Sequence, residues 1–188
     1  MEDPKNPENK KKESKGKETL YKVAYRNQIT LVQIADNKAN IIISINTMII
    51  SSIIAITGYG LIATEVEYDK MNIIPISIIV LSCLISAILA IQAARPKLMR
   101  AKNSEVSKEK SSLIFFGVIS QFSQVEYLEQ MRNLITSDKE IYETMTIDLH
   151  NQGKILTRKY ALLNHAYRIF MFGFILSVLI FLVFLAMR

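Results

Sequence analysis

The sequence predicts an all-α integral membrane protein, in which three transmembrane helices are joined to a helical cytoplasmic bundle. Three runs without Asp, Glu, Lys or Arg predict the spans: residues 39–64, 71–94 and 169–187. The runs are 26, 24 and 19 residues long, and a helix needs about 20 apolar residues to cross a bilayer core. A buried core helix would explain one such run, but three of them in 188 residues favour the membrane.

Composition supports the same class. Half of the residues are hydrophobic, which is unusual for a soluble domain of this size because such a domain needs polar surface. The first apolar run follows a long polar arm without a small-residue cleavage site, so a cleavable signal peptide is not expected. The single cysteine, Cys83, lies inside the second run and is expected to pack as a small hydrophobic residue.

The basic residues predict the orientation. Nine of the 23 Lys and Arg residues precede position 39 and twelve lie within 95–168, whereas the loop 65–70 holds one. Lys and Arg collect on the cytoplasmic side of membrane proteins. We therefore expect a multi-pass membrane protein with a cytoplasmic N-terminus, a cytoplasmic 95–168 segment and an external 65–70 loop. Basic clusters beside spans also attract anionic lipid, so the charge does not indicate DNA or RNA binding.

The chain divides into six predicted segments. Residues 1–18 are rich in charge and Pro and lack apolar clusters, which predicts a disordered basic arm. Helical periodicity begins near Thr19 and predicts a cytoplasmic helix extension over 19–40. The remaining segments are transmembrane helices at 41–63, 72–93 and 168–187, and a cytoplasmic helical domain at 95–167. Within that domain we expect a helix pair over 113–135 and a last long helix capped by Asp138.

Enzyme and metal motifs are absent from the sequence. His150 and His165 lie fifteen positions apart without a carboxylate at ligand spacing, so no zinc site is predicted. The sequence contains no Walker motif, no G-x-G-x-x-G and no serine nucleophile elbow. We therefore expect a protein that is not an enzyme and has no catalytic residues and no metal.

A polar group lies where the first span enters the lipid. Polar side chains are costly at this depth unless they have partners. Two interpretations stay open: an interfacial collar that is hydrogen-bonded to neighbouring helices, or a ligand pocket at the membrane surface. The group consists of Asp36, Asn37, Lys38 and Asn40.

Polar residues continue along the same helix as a membrane polar stripe. Ser44, Thr47 and Ser51 follow Asp36 and Asn40 at steps of three or four, so they share one face, with Asn46 near its edge. Such a face should meet protein or water and not lipid. Helix–helix contact is one interpretation, and the lining of a water path in an oligomer is the other.

Two further groups could contact a ligand. Phe115 and Phe116, which precede a glycine, would with Tyr127 offer a stacking surface for a base, or belong to a core. A basic patch on the last helix would bind a phosphate or lipid headgroups. It contains Lys154, Arg158, Lys159 and Tyr160.

Two stretches carry a family resemblance. RNQITLVQIADNKANIIISINTMIIS resembles the opening of the Pycsar transmembrane effector family. LIFFGVISQFSQVEYLEQM and DLHNQGKILTRKYALLNHAYRIFMFG resemble the cytoplasmic half of that family through their F-F-G, E-Y, D-L and K-Y positions. The resemblance extends from about Val23 to Phe174, and D-N-K-A-N at a membrane entry is its distinctive part. His150 stands where the family usually has an aromatic residue after D-L.

The resemblance implies a membrane effector of a bacterial antiphage defence system. Such an effector senses a cyclic pyrimidine mononucleotide, cCMP or cUMP, made by a partner cyclase, and impairs the inner membrane to arrest the infected cell. It implies no other cofactor and gives residues 95–167 the role of sensor. The expected partners are the lipid bilayer, the cyclic nucleotide and further copies of the chain.

Residue types and the resemblance together give a set of candidate ligand contacts. They are Arg26, Asn27, Asp36, Asn37, Lys38, Asn40, Phe115, Phe116, Tyr127, Arg158, Lys159 and Tyr160. The alternative function is a non-enzymatic membrane adaptor that docks a soluble partner on its cytoplasmic domain. A membrane enzyme would need a site that the sequence does not offer.

Overall fold

A computed structural model describes residues 7–63, 70–95, 113–114, 119 and 122–187 of the chain. These residues form four helices and no strand: α1 Pro7–Ala63, α2 Lys70–Ala94, α3 Gln124–Ile135 and α4 Asp138–Ala186. Helices α1, α2 and α4 are each long and apolar enough to cross a membrane. The prediction of an all-helical chain with three candidate spans is therefore confirmed.

Helix α1 begins earlier than the sequence predicts. Residues 7–18 are helical, although their composition predicted a disordered arm. Two ion pairs, each between residues four positions apart, support this first part of the helix. The Lys17 ammonium lies 2.7 Å from the Glu13 carboxylate, and the Lys22 ammonium lies 2.5 Å from the Glu18 carboxylate. Ion pairs of this spacing stabilise a helix locally. The amino-acid composition of a segment does not reveal them, because it does not contain the spacing of the charges.

The ends of α3 and α4 also differ from the prediction. Asp138 is the first residue of α4 and not its cap, because the Ser137 hydroxyl accepts the N–H of Glu140 at 3.4 Å. Helix α3 starts after a capping box, in which Ser123 and Glu126 each accept the backbone N–H of the other. Of the helix pair predicted over 113–135, only α3 falls within the described residues.

The chain divides into two compact units. Unit 1 consists of Met1–Val32 and Pro96–Leu156, and unit 2 of Gln33–Arg95 and Thr157–Arg188. Helices α1 and α4 contribute residues to both units. The apolar parts of all three candidate spans belong to unit 2.

Unit 2 has a small-residue interior and an apolar exterior. Its core contains Ile42, Ala90 and Ala166, each at most 1% exposed. Large apolar side chains point outward, such as Phe172 on α4, which is 65% exposed, and Leu81 on α2, which is 60% exposed. Small residues let membrane helices approach closely, since lipid solvates the large apolar side chains. This distribution fits helices surrounded by hydrocarbon.

Candidate functional site

The polar group predicted at the first span contains an ion pair between two helices of unit 2. The Lys159 ammonium on α4 lies 2.5 Å from the Asp36 carboxylate on α1. The Lys159 side chain is only 12% exposed, and a cation removed from water to this extent needs a partner. Asp36 and Lys159, predicted separately as ligand contacts, are therefore engaged with each other.

A second contact between α1 and α4 lies beside this pair. The Lys38 ammonium lies 5.8 Å from the centre of the Tyr160 ring, within the range of a cation–π interaction. The Tyr167 hydroxyl donates to the Lys38 carbonyl at 3.1 Å. We call Asp36, Lys38, Lys159, Tyr160 and Tyr167 the entrance cluster. Its contacts have the geometry of an interfacial collar, and ligand contact by the same residues stays a prediction.

The other predicted ligand contacts lie in different surroundings. Asn37, Asn40 and Arg158 are exposed on unit 2. Unit 1 contains Arg26 and Asn27, both exposed, and Tyr127, which is half-buried and donates to the Leu113 carbonyl at 3.4 Å. Phe115 and Phe116 lie outside the described residues.

Unit 1 contains a buried carboxylate, Asp148, that is not among the predicted site residues. Asp148 on α4 is 1% exposed. Its Oδ2 accepts from the Tyr25 hydroxyl and from the Gln152 amide, both at 2.9 Å. Its Oδ1 is buried and has no hydrogen-bond partner in the described part of the chain. Burial, and then the Asp148 carboxylate, raise the pKa of Tyr25 above its ordinary value, so the phenol remains a donor.

Gln28 on α1 extends this network. Its Nε2 donates to the Leu149 carbonyl at 3.2 Å. This bond fixes the amide orientation, and the buried Oε1 has no donor among the described residues. We call Tyr25, Gln28, Asp148 and Gln152 the acceptor cluster, because two of its oxygens have no donor within the part of the chain that the structure describes. An N–H or O–H group of a ligand or of a water would satisfy them. Asp148 lies in the D-L position of the family resemblance, but its burial could not be read from spacing.

A groove of about 620 Å³ lies elsewhere in unit 1, between the early turns of α1 and α4. Its charged side chains are two acids and two lysines, so it carries no net charge to attract an anionic ligand. The groove is lined by Glu13, Ser14, Lys17, Leu20, Tyr21, Asp138, Lys139 and Tyr142.

Within the membrane part of unit 2, a polar chain joins all three helices. The Asn46 amide on α1 donates to the Ser86 hydroxyl on α2 at 3.0 Å, and Ser86 donates to the Ala166 carbonyl on α4 at 2.9 Å. Asn46 is fully buried, and its Oδ1 has no partner among the described residues. Asn46 therefore does not share the face of Ser44, Thr47 and Ser51, which are all exposed.

These features define a helical membrane protein with three candidate spans, a small-residue interior and polar contacts between the helices. The family model of the Pycsar effector protein domain matches residues 19–187. The chain therefore belongs to the Pycsar effector family, as its resemblance to that family predicted, and it is a Pycsar antiphage effector. Comparisons with curated proteins and with solved structures found no match.

Proposed function

We propose that this effector is activated by a cyclic pyrimidine mononucleotide, cCMP or cUMP, and then impairs the inner membrane, so that the infected cell stops growing. The family match over residues 19–187 is the observation that carries the proposal. The three candidate spans supply the membrane-acting part. In this proposal a partner cyclase makes the nucleotide, the effector catalyses no reaction, and no metal or other cofactor takes part.

Two polar clusters are candidate sites for the nucleotide. The acceptor cluster offers two buried oxygens that no described residue bonds to, and pyrimidine bases carry matching donors: the exocyclic amine of cytosine or the ring N–H of uracil. The entrance cluster offers cations for the phosphodiester. Because Asp36 already neutralises Lys159, the exposed Arg158 next to it is the better phosphodiester ligand of the two.

The basic residues support a cytoplasmic N-terminus in this proposal, since a cytoplasmic nucleotide must reach its sensor. Reporter fusions at Met1, Asp69, Ser120 and Arg188 should then read inside, outside, inside and outside. A cytoplasmic signal at Asp69 would contradict the three-span topology.

Activation follows from differential affinity. A ligand shifts a conformational equilibrium only by as much as it prefers one state, and moving a population from 1% to 99% takes about 5.5 kcal/mol of preference. A mononucleotide with one charge and a few base contacts can supply energy of this order. The effector therefore needs two states of its membrane part that the nucleotide distinguishes.

The direct test uses the full chain reconstituted in liposomes. Calorimetry with cCMP, cUMP, cAMP and cGMP measures binding, and a potential-sensitive dye measures membrane integrity. We expect a cyclic pyrimidine nucleotide to bind and to depolarise the vesicles, and the purine nucleotides to do neither. Binding without depolarisation would favour the adaptor function, and absence of binding to all four would overturn the proposed ligand class.

The two candidate sites are separated by a pair of variants. Asp148→Asn exchanges an acceptor oxygen for a donor in the acceptor cluster, and Arg158→Gln removes an exposed cation beside the entrance cluster. The variant whose affinity falls identifies the site, since loss of a charge-assisted contact weakens binding roughly 10- to 150-fold. Lys139→Gln is the control, because this exposed lysine of unit 1 belongs to neither cluster.

A further inference from the structure

The first span has a polar face that the described part of its own chain does not cover. Helix α1 turns Ala35, Ala39, Ile42 and Asn46 into the interior of unit 2. A second set of residues, at steps of three and four, is exposed. At 3.6 residues per turn the centres of the two sets lie about 150° apart around the helix. The exposed set, which we call the uncovered polar face, contains Asn37, Asn40, Ser44, Thr47 and Ser51.

This face reaches the middle of the bilayer. Ser51 lies at the centre of the uncharged run 39–64, and at 1.5 Å per residue it is about 17 Å from Asn40 along the helix. Thr47 satisfies its own hydroxyl by donating to the Ile43 carbonyl at 2.8 Å. The side chains of Asn40, Ser44 and Ser51 have no hydrogen-bond partner among the described residues. Hydrocarbon cannot supply one.

The chemistry of the face identifies what covers it. Asn, Ser and Thr side chains each donate and accept, so the face is complementary to itself. The series 37, 40, 44, 47 and 51 alternates steps of three and four, the spacing at which two helices pack side by side with a left-handed crossing. Small side chains allow the close approach that membrane helices need. Gly58 continues the series one heptad after Ser51, and nothing lies within 4 Å of a Cβ placed there, so packing within the chain does not require its small size.

We propose that the uncovered polar face is a self-association surface, on which α1 of one copy packs against α1 of a second copy. The hydroxyl and amide groups that lack partners in one chain then bond across the interface. This surface follows from the polar face alone and does not depend on which nucleotide binds.

Adjacent residues provide matched controls. Ser52 is exposed like Ser51, but its hydroxyl donates to the Met48 carbonyl at 2.8 Å and it lies about 100° further around the helix. Ile45 stands in the same relation to Ser44 and is also exposed. A general effect of polarity, depth or exposure would act equally on both members of each pair.

The first test is oxidative cross-linking of the full chain in membranes without nucleotide. Ser44→Cys and Ser51→Cys should form disulfide-linked dimers, whereas Ile45→Cys and Ser52→Cys should not. The unmodified protein is the blank, because its one cysteine is buried. Equal cross-linking at all four positions, cross-linking only at 45 and 52, or none at any position would overturn the proposal.

The second test measures association strength. Ser51→Leu should weaken self-association in liposomes, measured by energy transfer between labelled copies, roughly 3- to 15-fold, the range expected for one hydrogen bond between membrane helices. Ser52→Leu should leave association unchanged. Equal effects of the two substitutions would contradict the assignment of the face. Since neither test needs a nucleotide, a failure here is distinguishable from a failure of the proposed function.

Discussion

Lys159 and Asp36 are 123 positions apart in the sequence, yet the ammonium of one lies 2.5 Å from the carboxylate of the other. The pair joins α1 to α4 where the charged part of α1 gives way to its uncharged run. Lys159 is largely buried and its neighbour Arg158 is exposed. Two adjacent cations on one helix therefore lie in different environments, one paired and one exposed to solvent.

The ion pair predicts unequal effects of neutralising these cations. Lys159→Gln leaves the Asp36 carboxylate without its partner and should lower the free energy of unfolding by about 1–3 kcal/mol. Arg158→Gln should change it by less than about 0.5 kcal/mol, because an exposed substitution removes no buried contact. Thermal unfolding in detergent measures both. The double variant Asp36→Asn with Lys159→Gln should recover part of the loss, and equal destabilisation by the two single changes would contradict the pair.

Asp148 predicts that an amide is tolerated where an alanine is not. Asp148→Asn keeps an acceptor for Tyr25 and Gln152 and removes a buried charge, so it should change stability by less than about 1 kcal/mol. Asp148→Ala removes the acceptor of the Gln152 amide and leaves the Tyr25 hydroxyl only the Met145 carbonyl, at 3.3 Å, so it should cost about 1–3 kcal/mol. The comparison uses unfolding midpoints of the purified variants. If the Asp148→Ala variant is as stable as the Asp148→Asn variant, the hydrogen bonds of Asp148 contribute nothing to folding.

Tyr25 predicts a loss of stability at alkaline pH. Because its pKa is raised in the folded protein, its contribution is complete below the ordinary tyrosine value of about 10 and is lost as the pH rises through the higher folded value. Tyr25→Phe lacks this contribution at every pH. The stability difference between the wild type and Tyr25→Phe should therefore be constant at neutral pH and should narrow above about pH 10. If the free energies of unfolding of the wild type and of Tyr25→Phe stay a constant amount apart up to about pH 11, the ionisation of Tyr25 does not affect stability.

Close packing between α2 and α4 predicts a suppressor pair. A Cβ added at Gly173 would overlap the side chain of Ser82, so Gly173→Ala should destabilise the membrane unit by about 1–3 kcal/mol. Ser82→Gly removes the overlapping atoms and should restore stability when the two changes are combined. Gly16→Ala is the control, since nothing lies within 4 Å of a Cβ there. Failure of the double variant to recover would show that the backbones are not this close.

The polar chain predicts that the Ser86 hydroxyl holds three helices together. Ser86→Ala removes the acceptor of the Asn46 amide and the donor to the Ala166 carbonyl. Each hydrogen bond between membrane helices is worth about 0.6–2 kcal/mol, so the variant should unfold at a lower denaturant concentration than the wild type. Ser52→Ala, which removes a hydroxyl bonded only to its own helix, should have little effect. Equal midpoints for the two variants would exclude this role.

The transmembrane segments could be predicted from the sequence because a single local pattern determines each of them. Uncharged runs long enough to cross a bilayer predicted the three candidate spans. Placing a charge in hydrocarbon costs much free energy, and this cost depends only on the residues within the run itself. Contacts between segments that are distant in the sequence could not be predicted in this way. Spacing placed Asp36 and Lys159 among possible ligand contacts but did not show that they pair, and nothing in the stretch around Asp148 marked that residue as buried.

The stripe on α1 illustrates the same limit. Asn46 and Thr47 are neighbours in the sequence and both are polar, but a step of one residue turns about 100° around the helix. One therefore lies in the interior and the other on the exterior. Which face the chain covers depends on the positions of α2 and α4, and periodicity within α1 does not contain that information.

The location of Cys83 has a consequence for how contacts between copies would persist. It is the only cysteine of the chain, it lies on α2, and it is fully buried. Two copies joined along α1 therefore have no covalent link and are held by mass action, so their association rises and falls with the number of copies in a given membrane area. A fall in the number of copies per membrane area would then separate the copies without proteolysis or a reductant.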